Sequence, residues 1–233
     1  MAAVRFQTLI FDLDDTLIPT SEVLIPRAVQ HVFQVLTSNG LDWSFEKFEQ
    51  YRKKHMRKLS HREIIKEIIE NLIPKNSMET KGHIFDSCLK AFYQASLPEV
   101  IPLLPGAQHN LEKLKSKYKL FLLTGGDLAT QKQKLIKAGL QGFFQEIEVA
   151  DASLNNGKKK IIEKWIVEKK INPLQSLSIG NRLSDEIRVS KILGLKTCHI
   201  QFGEHADELP EDNYEDADYK ILHHAELIAK CQL

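Results

Sequence analysis

"LIFDLDDTLIPT", residues 9–20, runs a short apolar stretch straight into three carboxylates within four positions, Asp12, Asp14 and Asp15. Carboxylates this close repel one another, so the arrangement becomes useful only when a cation or a phosphoryl group is drawn in. Two residues apart at a strand end, Asp12 and Asp14 point the same way, while Leu13 and Asp15 share the other face. One carboxylate of the pair can attack phosphorus. The other can give a proton to the leaving oxygen and later take one from water. Anionic nucleophile and anionic phosphate repel, so the chemistry requires a divalent cation. Mg²⁺, a hard ion that takes oxygen ligands, suits it.

Further short apolar runs occur at "KLFLLT" (119–124), "EIEVA" (146–150), "SLSIG" (176–180) and "KTCHIQF" (196–202), beside "TLIF" (8–11). Helical patterns fall at 107–117, 127–139, 158–170 and 184–193. Alternating strands and helices predict an α/β, Rossmann-like core with a mainly parallel sheet covered on both faces. Functional groups in such sheets gather where strands end. "LLTGGD" (122–127) offers the Thr124 hydroxyl and the backbone N–H groups of Gly125 and Gly126 ahead of a helix, which together can cradle phosphate. "NNGKKKIIEKW" (155–165) adds Lys158, Lys159 and Lys160, and "SIGNRLSDE" (178–186) adds Asp185 as a remote carboxylate for a cation.

Residues 19–103 read differently. "SEVLIPRAVQHVFQVLTSNG" (21–40) places Val29, Val32, Phe33 and Leu36 on one helix face and ends at a glycine. Helical patterns continue over 44–59, over 61–73 through Ile64, Ile65, Ile68, Ile69 and Leu72, and over 77–96. The proline-rich "LPEVIPLLPG" (97–106) breaks them. The expected organisation is a core of residues 1–18 and 104–233 with an inserted α-helical subdomain, 19–103.

The remaining features set limits. A net charge of +1 over 233 residues gives no field for nucleic acid or membrane, and no apolar run approaches the ~18 residues of a bilayer span. Three widely spaced cysteines without a CxxC pair fit a reducing compartment and offer neither disulfide framework nor zinc site. A soluble cytoplasmic chain, monomer or homodimer, is expected. The basic run 51–62 reads as a solvated helix face above a Phe45, Phe48 and Leu59 stripe, the alternative being that Arg52 or Arg57 meets an anionic substrate. His199 reads as a core residue, and the acidic segment 203–218 as solvated surface.

"FDLDDTL", "LLTGG", the Gly157–Lys158 junction and "SIGNRLSD" resemble, in order, the four motifs of the haloacid dehalogenase (HAD) superfamily. The resemblance covers essentially the whole chain, and the insertion after the first motif resembles the helical C1 cap. It implies Asp12 as the nucleophile of an aspartyl-phosphate and Asp14 as general acid/base. It implies Thr124 and Lys158 as phosphoryl ligands, with Lys158 also orienting Asp12. Mg²⁺ would be held by Asp12, the backbone carbonyl of Asp14, and Asp185. Two departures stand out. Three lysines follow Gly157 where the family often has Lys-Pro, so Lys159 is the alternative to Lys158. Gly180-Asn181 replaces the usual Gly-Asp, leaving Asp185 as the principal remote metal ligand. The implied activity is a Mg²⁺-dependent phosphatase for a small phosphorylated metabolite. A phosphomutase or phosphotransferase on the same core, or a non-catalytic binding protein, are the alternatives.

Overall fold

The computed structural model describes residues 6–72, 78–93, 97–151 and 157–233, which form two compact units, one up to Ser21 together with Pro98–Leu233 and the other Glu22–Leu97. In the larger unit six strands make one parallel sheet: β1 (Thr8–Phe11), β2 (Lys119–Gly126), β3 (Glu146–Asp151), β4 (Ser176–Gly180), β5 (Lys196–Ile200) and β6 (Tyr219–Ile221). Their order is β3-β2-β1-β4-β5-β6. The first strand therefore lies between β2 and β4, paired in register with both from Thr8 to Phe11. The chain builds outward on one side of β1 and then crosses to the other, and a parallel sheet places its ligand crevice at such a reversal.

β1 and β4 are buried along their whole length, as expected of strands covered on both faces. Ile10, Phe121, Leu123, Ile162 and Trp165 pack into one of the clusters that seal the sheet. Two strand features differ from the sequence expectation. β2 continues through Gly126, its two glycines paired with Ala150 and Asp151 of β3, so they extend the sheet where a loop was expected. β6 was missed altogether, because its three residues follow an acidic segment and carry no alternating pattern long enough to register.

The helices follow in chain order. α1 (Thr20–Val23) leads into the smaller unit, which holds α2 (Ile25–Ser38), α3 (Phe45–His55), α4 (His61–Leu72) and α5 (Met78–Tyr93). Residue 73, residue 77 and residues 94–96 of the expected helices lie outside the described residues. The core of this unit is the predicted one: Val29, Val32, Leu36, Ile64, Ile65, Ile68 and Ile69 meet Phe48, Ile84 and Cys88. Ser60 and Glu63 cap the start of α4 reciprocally, with Ser60 N donating to Glu63 Oε2 at 2.7 Å and Glu63 N to Ser60 Oγ at 3.3 Å. Back in the larger unit come α6 (Ala107–Leu114), α7 (Leu128–Lys137), α8 (Gly157–Glu168), α9 (Arg188–Ile192) and α10 (Leu227–Cys231). No helix among the described residues is long and apolar enough to cross a membrane.

Candidate active site

The site begins where β1 ends. Asp12 N donates to Ile179 O at 2.9 Å, so the aspartate is still locked to β4 although the strand proper has stopped. The chain then makes one tight helical turn, with Leu17 N and Ile18 N both returning to Leu13 O. His224, buried near the C-terminus, clamps this turn through Nε2 to the Thr16 carbonyl at 2.6 Å. A carbonyl only accepts, so Nε2 carries the proton. Burial outweighs that bond and lowers the His224 pKa.

Lys158, in the first turn of α8, is buried against Asp12. Its Nζ donates to Asp12 Oδ1 at 3.0 Å and Glu186 Oε2 at 2.9 Å, and pairs with Asp185 Oδ2 at 3.0 Å. Burial would lower its pKa, but the three carboxylates outweigh that and raise it well above the usual lysine value. Lys159 instead reaches Glu163 on the outer surface at 3.8 Å, and Lys160 is exposed. Among the three lysines, Lys158 is the one the fold brings to Asp12.

Glu186 was missed by the sequence reading, which took Asp185 alone from this loop. Both reach Lys158 because Leu183–Ile187 forms a wide π-type turn, and such turns recur at functional sites. The two acids differ in setting: the Asp185 side chain is 36% exposed and that of Glu186 only 6%. Glu186 is fixed from behind, since Oε1 accepts from Arg182 N at 2.6 Å. It lies so close to β4 that a Cβ at Gly180 would overlap its Cγ. Burial pushes the Asp185 carboxyl up, but Lys158 and Arg182 outweigh it and hold it below the ordinary value.

Asp14 has a separate set of partners. Oδ1 accepts from Thr20 Oγ1 and from Lys134 Nζ, the latter at 2.7 Å, while Oδ2 accepts from Gln131 Nε2 at 2.8 Å. Burial raises its pKa, yet Lys134, Gln131 and Thr20 together bring it below the ordinary carboxylate value. Thr124, at the predicted place on β2, is buried, and its hydroxyl oxygen accepts from Gln131 Nε2 at 3.0 Å. The Thr124 hydroxyl proton is not used in that bond.

Asp15 turns away from the pair, as expected, and has a structural task. At φ 54° it sits in the left-handed region, buried, accepting from Ser21 N at 2.8 Å and from Ser21 Oγ. Gly203, itself at φ 75°, packs so closely that any Cβ would overlap the Asp15 carboxyl group. Burial, only partly offset by Ser21, pushes Asp15 up to about 6. His199 is buried in β5, its Nε2 donating to Asn181 O at 3.0 Å. Arg52 departs from the solvated-face expectation: it is buried inside the helical unit, bound to Glu49 at 2.6 and 3.0 Å and to His61 at 3.0 Å. Phe45, assigned to the apolar stripe, is 41% exposed.

The donor set fits a hard divalent cation. Asp12, Asp14, Asp185 and Glu186 outnumber Lys134, Lys158 and the Arg182 guanidinium that acts on Asp185. The imbalance is felt at Asp12: burial, reinforced by Glu186 and Asp14 and only partly offset by Lys158, pushes its carboxyl up to about 8. Among the described residues no three acidic, imidazole or thiol side chains gather as a metal cage. An ion here would complete its shell with a backbone carbonyl and water, as Mg²⁺ commonly does.

The model of the haloacid dehalogenase-like hydrolase family matches residues 9–200. The chain belongs to that family and is an enzyme of hydrolase type. It is 24% identical to the glyceraldehyde 3-phosphate phosphatase of Methanopyrus kandleri, over 95% of each chain. The fold is shared with the magnesium-bound HAD-hydrolase YfnB of Bacillus subtilis, at TM-score 0.68 and 19% identity over 98% of this chain and 100% of that one. It is shared also with CbbY of Rhodobacter sphaeroides in complex with phosphate, at TM-score 0.72 and 18% identity over 98% and 100%.

Proposed function

We propose that this enzyme is a Mg²⁺-dependent phosphatase that hydrolyses a small phosphate monoester through a phosphoryl group carried on Asp12. The observation that carries the reading is the division between two neighbouring carboxylates. Asp12 is bound to Lys158 at 3.0 Å, whereas Asp14, two residues on, is bound to Lys134 at 2.7 Å. This pairing supports distinct roles, with Asp12 beside an ammonium that can also bind a phosphoryl oxygen and Asp14 as the proton carrier.

In the first half-reaction an Asp12 oxygen forms a bond to phosphorus as the ester P–O bond breaks. The departing oxygen takes a proton from Asp14. Asp14 is held ionised at rest, so this proton must arrive with the substrate monoanion or from solvent. In the second half-reaction Asp14 takes a proton from water, the water oxygen attacks phosphorus, and the bond to Asp12 breaks. Inorganic phosphate leaves and Asp12 is restored. Lys158 and the Thr124 hydroxyl hold phosphoryl oxygens, with the backbone at Gly125 and Gly126 beside them. Mg²⁺, bound by Asp12, the Asp14 carbonyl and Asp185, would neutralise charge between nucleophile and phosphate.

The helical unit is proposed as the cap that selects the substrate. The relatives' activity toward glyceraldehyde 3-phosphate supports a small phosphorylated metabolite. The test is release of inorganic phosphate across about a hundred phosphate esters with Mg²⁺, with Asp12→Asn as control. Turnover by wild type and none by Asp12→Asn is expected. Equal inactivity of both across the panel would overturn the reading.

A further inference from the structure

Helix α7 is capped by Asp127, whose Oδ1 accepts from Thr130 N at 2.8 Å. Gln131 and Lys134 stand three residues apart on this helix, hence on one face. Both are nearly buried, at 3% and 9% exposure. An ammonium in such a place is costly unless paired. Among the described residues the sole partner of the Lys134 ammonium is Asp14.

The Gln131 carboxamide is committed in the same direction. Its Nε2 lies 2.8 Å from Asp14 Oδ2, 3.0 Å from Thr124 Oγ1 and 2.6 Å from Gly125 O, three acceptors for two N–H bonds. Its Oε1 is buried with no partner among the described residues. Turning the amide over would set that oxygen against the Asp14 carboxylate and leave two further acceptors facing it. Each Asp14 oxygen is thus held from α7, by a different residue.

We propose that Lys134 and Gln131 are positioning residues that aim the Asp14 carboxyl at the leaving-group oxygen. Gln131 also ties that aim to the phosphate-binding Thr124. This rests on the assignment of Asp14 as proton carrier. Misaimed, Asp14 no longer hands its proton to the departing oxygen as the P–O bond breaks. That loss matters most for the esters whose leaving group is the poorest.

The test compares kcat/KM for p-nitrophenyl, phenyl and p-methoxyphenyl phosphates in wild type, Lys134→Met, Lys134→Arg, Gln131→Met and Asp14→Asn. Exposed Lys132→Met is the control. This ratio covers steps only through phosphoryl transfer to Asp12, so later hydrolysis does not intrude. Lys134→Met should lose about a hundredfold on p-methoxyphenyl phosphate and under about fivefold on p-nitrophenyl phosphate, general acid catalysis being worth 10²–10⁴. Lys134→Arg should recover part of the difference, and Lys132→Met should match wild type. A uniform loss across the three esters would show a merely structural role and overturn the proposal. If Lys134→Met does not fold, as judged by thermal melting, the same comparison is read from Gln131→Met. Asp14→Asn separates the two layers. If it steepens the leaving-group dependence and the α7 variants do not, the positioning proposal alone falls. If Asp14→Asn itself leaves that dependence unchanged, the proton-carrier assignment falls and takes the proposal with it.

Discussion

Lys158 donates to Asp12 Oδ1 at 3.0 Å and to Glu186 Oε2 at 2.9 Å, joining the end of β1 to the turn after β4 through one buried ammonium. Removing one partner from a buried ion pair typically costs about 3–5 kcal/mol, because the other charge is left uncompensated. Lys158→Met should therefore lower stability by about that amount at neutral pH and reduce kcat/KM at least about a hundredfold. Denaturant unfolding with and without Mg²⁺ checks the first. Glu186→Gln in the Lys158→Met background should restore part of the lost stability while activity stays absent.

Asp12 sets a pH dependence. Its carboxyl is raised by burial from 3.8 to about 8, so between those values the folded metal-free protein holds a proton that the unfolded chain gives up. The resulting stabilisation is present at acid pH and lost as pH rises through about 8. Asp12→Asn, which cannot titrate, should flatten that part of the stability curve. A cation must displace the same proton, so Mg²⁺ affinity should rise between pH 6 and 8, by up to about tenfold per unit. Melting temperature against pH, and calorimetric titration with Mg²⁺, read the two effects. A metal affinity flat across this range would contradict the assignment of Asp12 as a ligand.

Gly180→Ala tests the packing under the site. The new methyl group would occupy the space of the Glu186 side chain, and overpacking of this kind costs about 1–3 kcal/mol. Displaced from Lys158, Glu186 would no longer fix the ammonium, so activity should fall more than stability explains. Glu186→Ala in the same background should relieve the strain, as a rise in melting temperature.

How far the chain alone revealed this site depends on reach. Asp12, Asp14 and Lys158 could be singled out because each follows a strand, and Thr124 because it lies near the end of one; parallel strands bring their ends to one edge whatever the sequence distance. Glu186 was not, since a regular helical turn sends neighbouring side chains apart and nothing in "NRLSDEI" announces the wide turn that gathers both acids. Gln131 and Lys134 read as ordinary polar positions of an amphipathic helix. Their burial follows from where α7 lands, which periodicity does not encode. His224 closes on Thr16 across 208 residues, beyond any local pattern. In the helical unit the apolar stripes were legible. The burial of Arg52 was not, because a basic run looks solvated until its carboxylate partner is found.

Arg52 yields a prediction that separates structure from recognition. Paired with Glu49, which keeps 21% exposure, it stabilises the helical unit, with a contribution of about 1–3 kcal/mol for a charge-assisted pair only partly screened by solvent. Arg52→Met should lower the melting temperature and leave KM unchanged on the best ester of the panel. A raised KM with unchanged stability would assign Arg52 to substrate recognition instead.

The central claim, that Asp12 carries the phosphoryl group, is tested most directly by acid-quenching the enzyme during turnover of a labelled ester with Mg²⁺ and mapping the modified peptide. One phosphoryl group, labile to hydroxylamine, is predicted on the peptide containing Asp12 and absent from Asp12→Asn. Label on a different residue, or turnover by Asp12→Asn at the wild-type rate, would contradict the account.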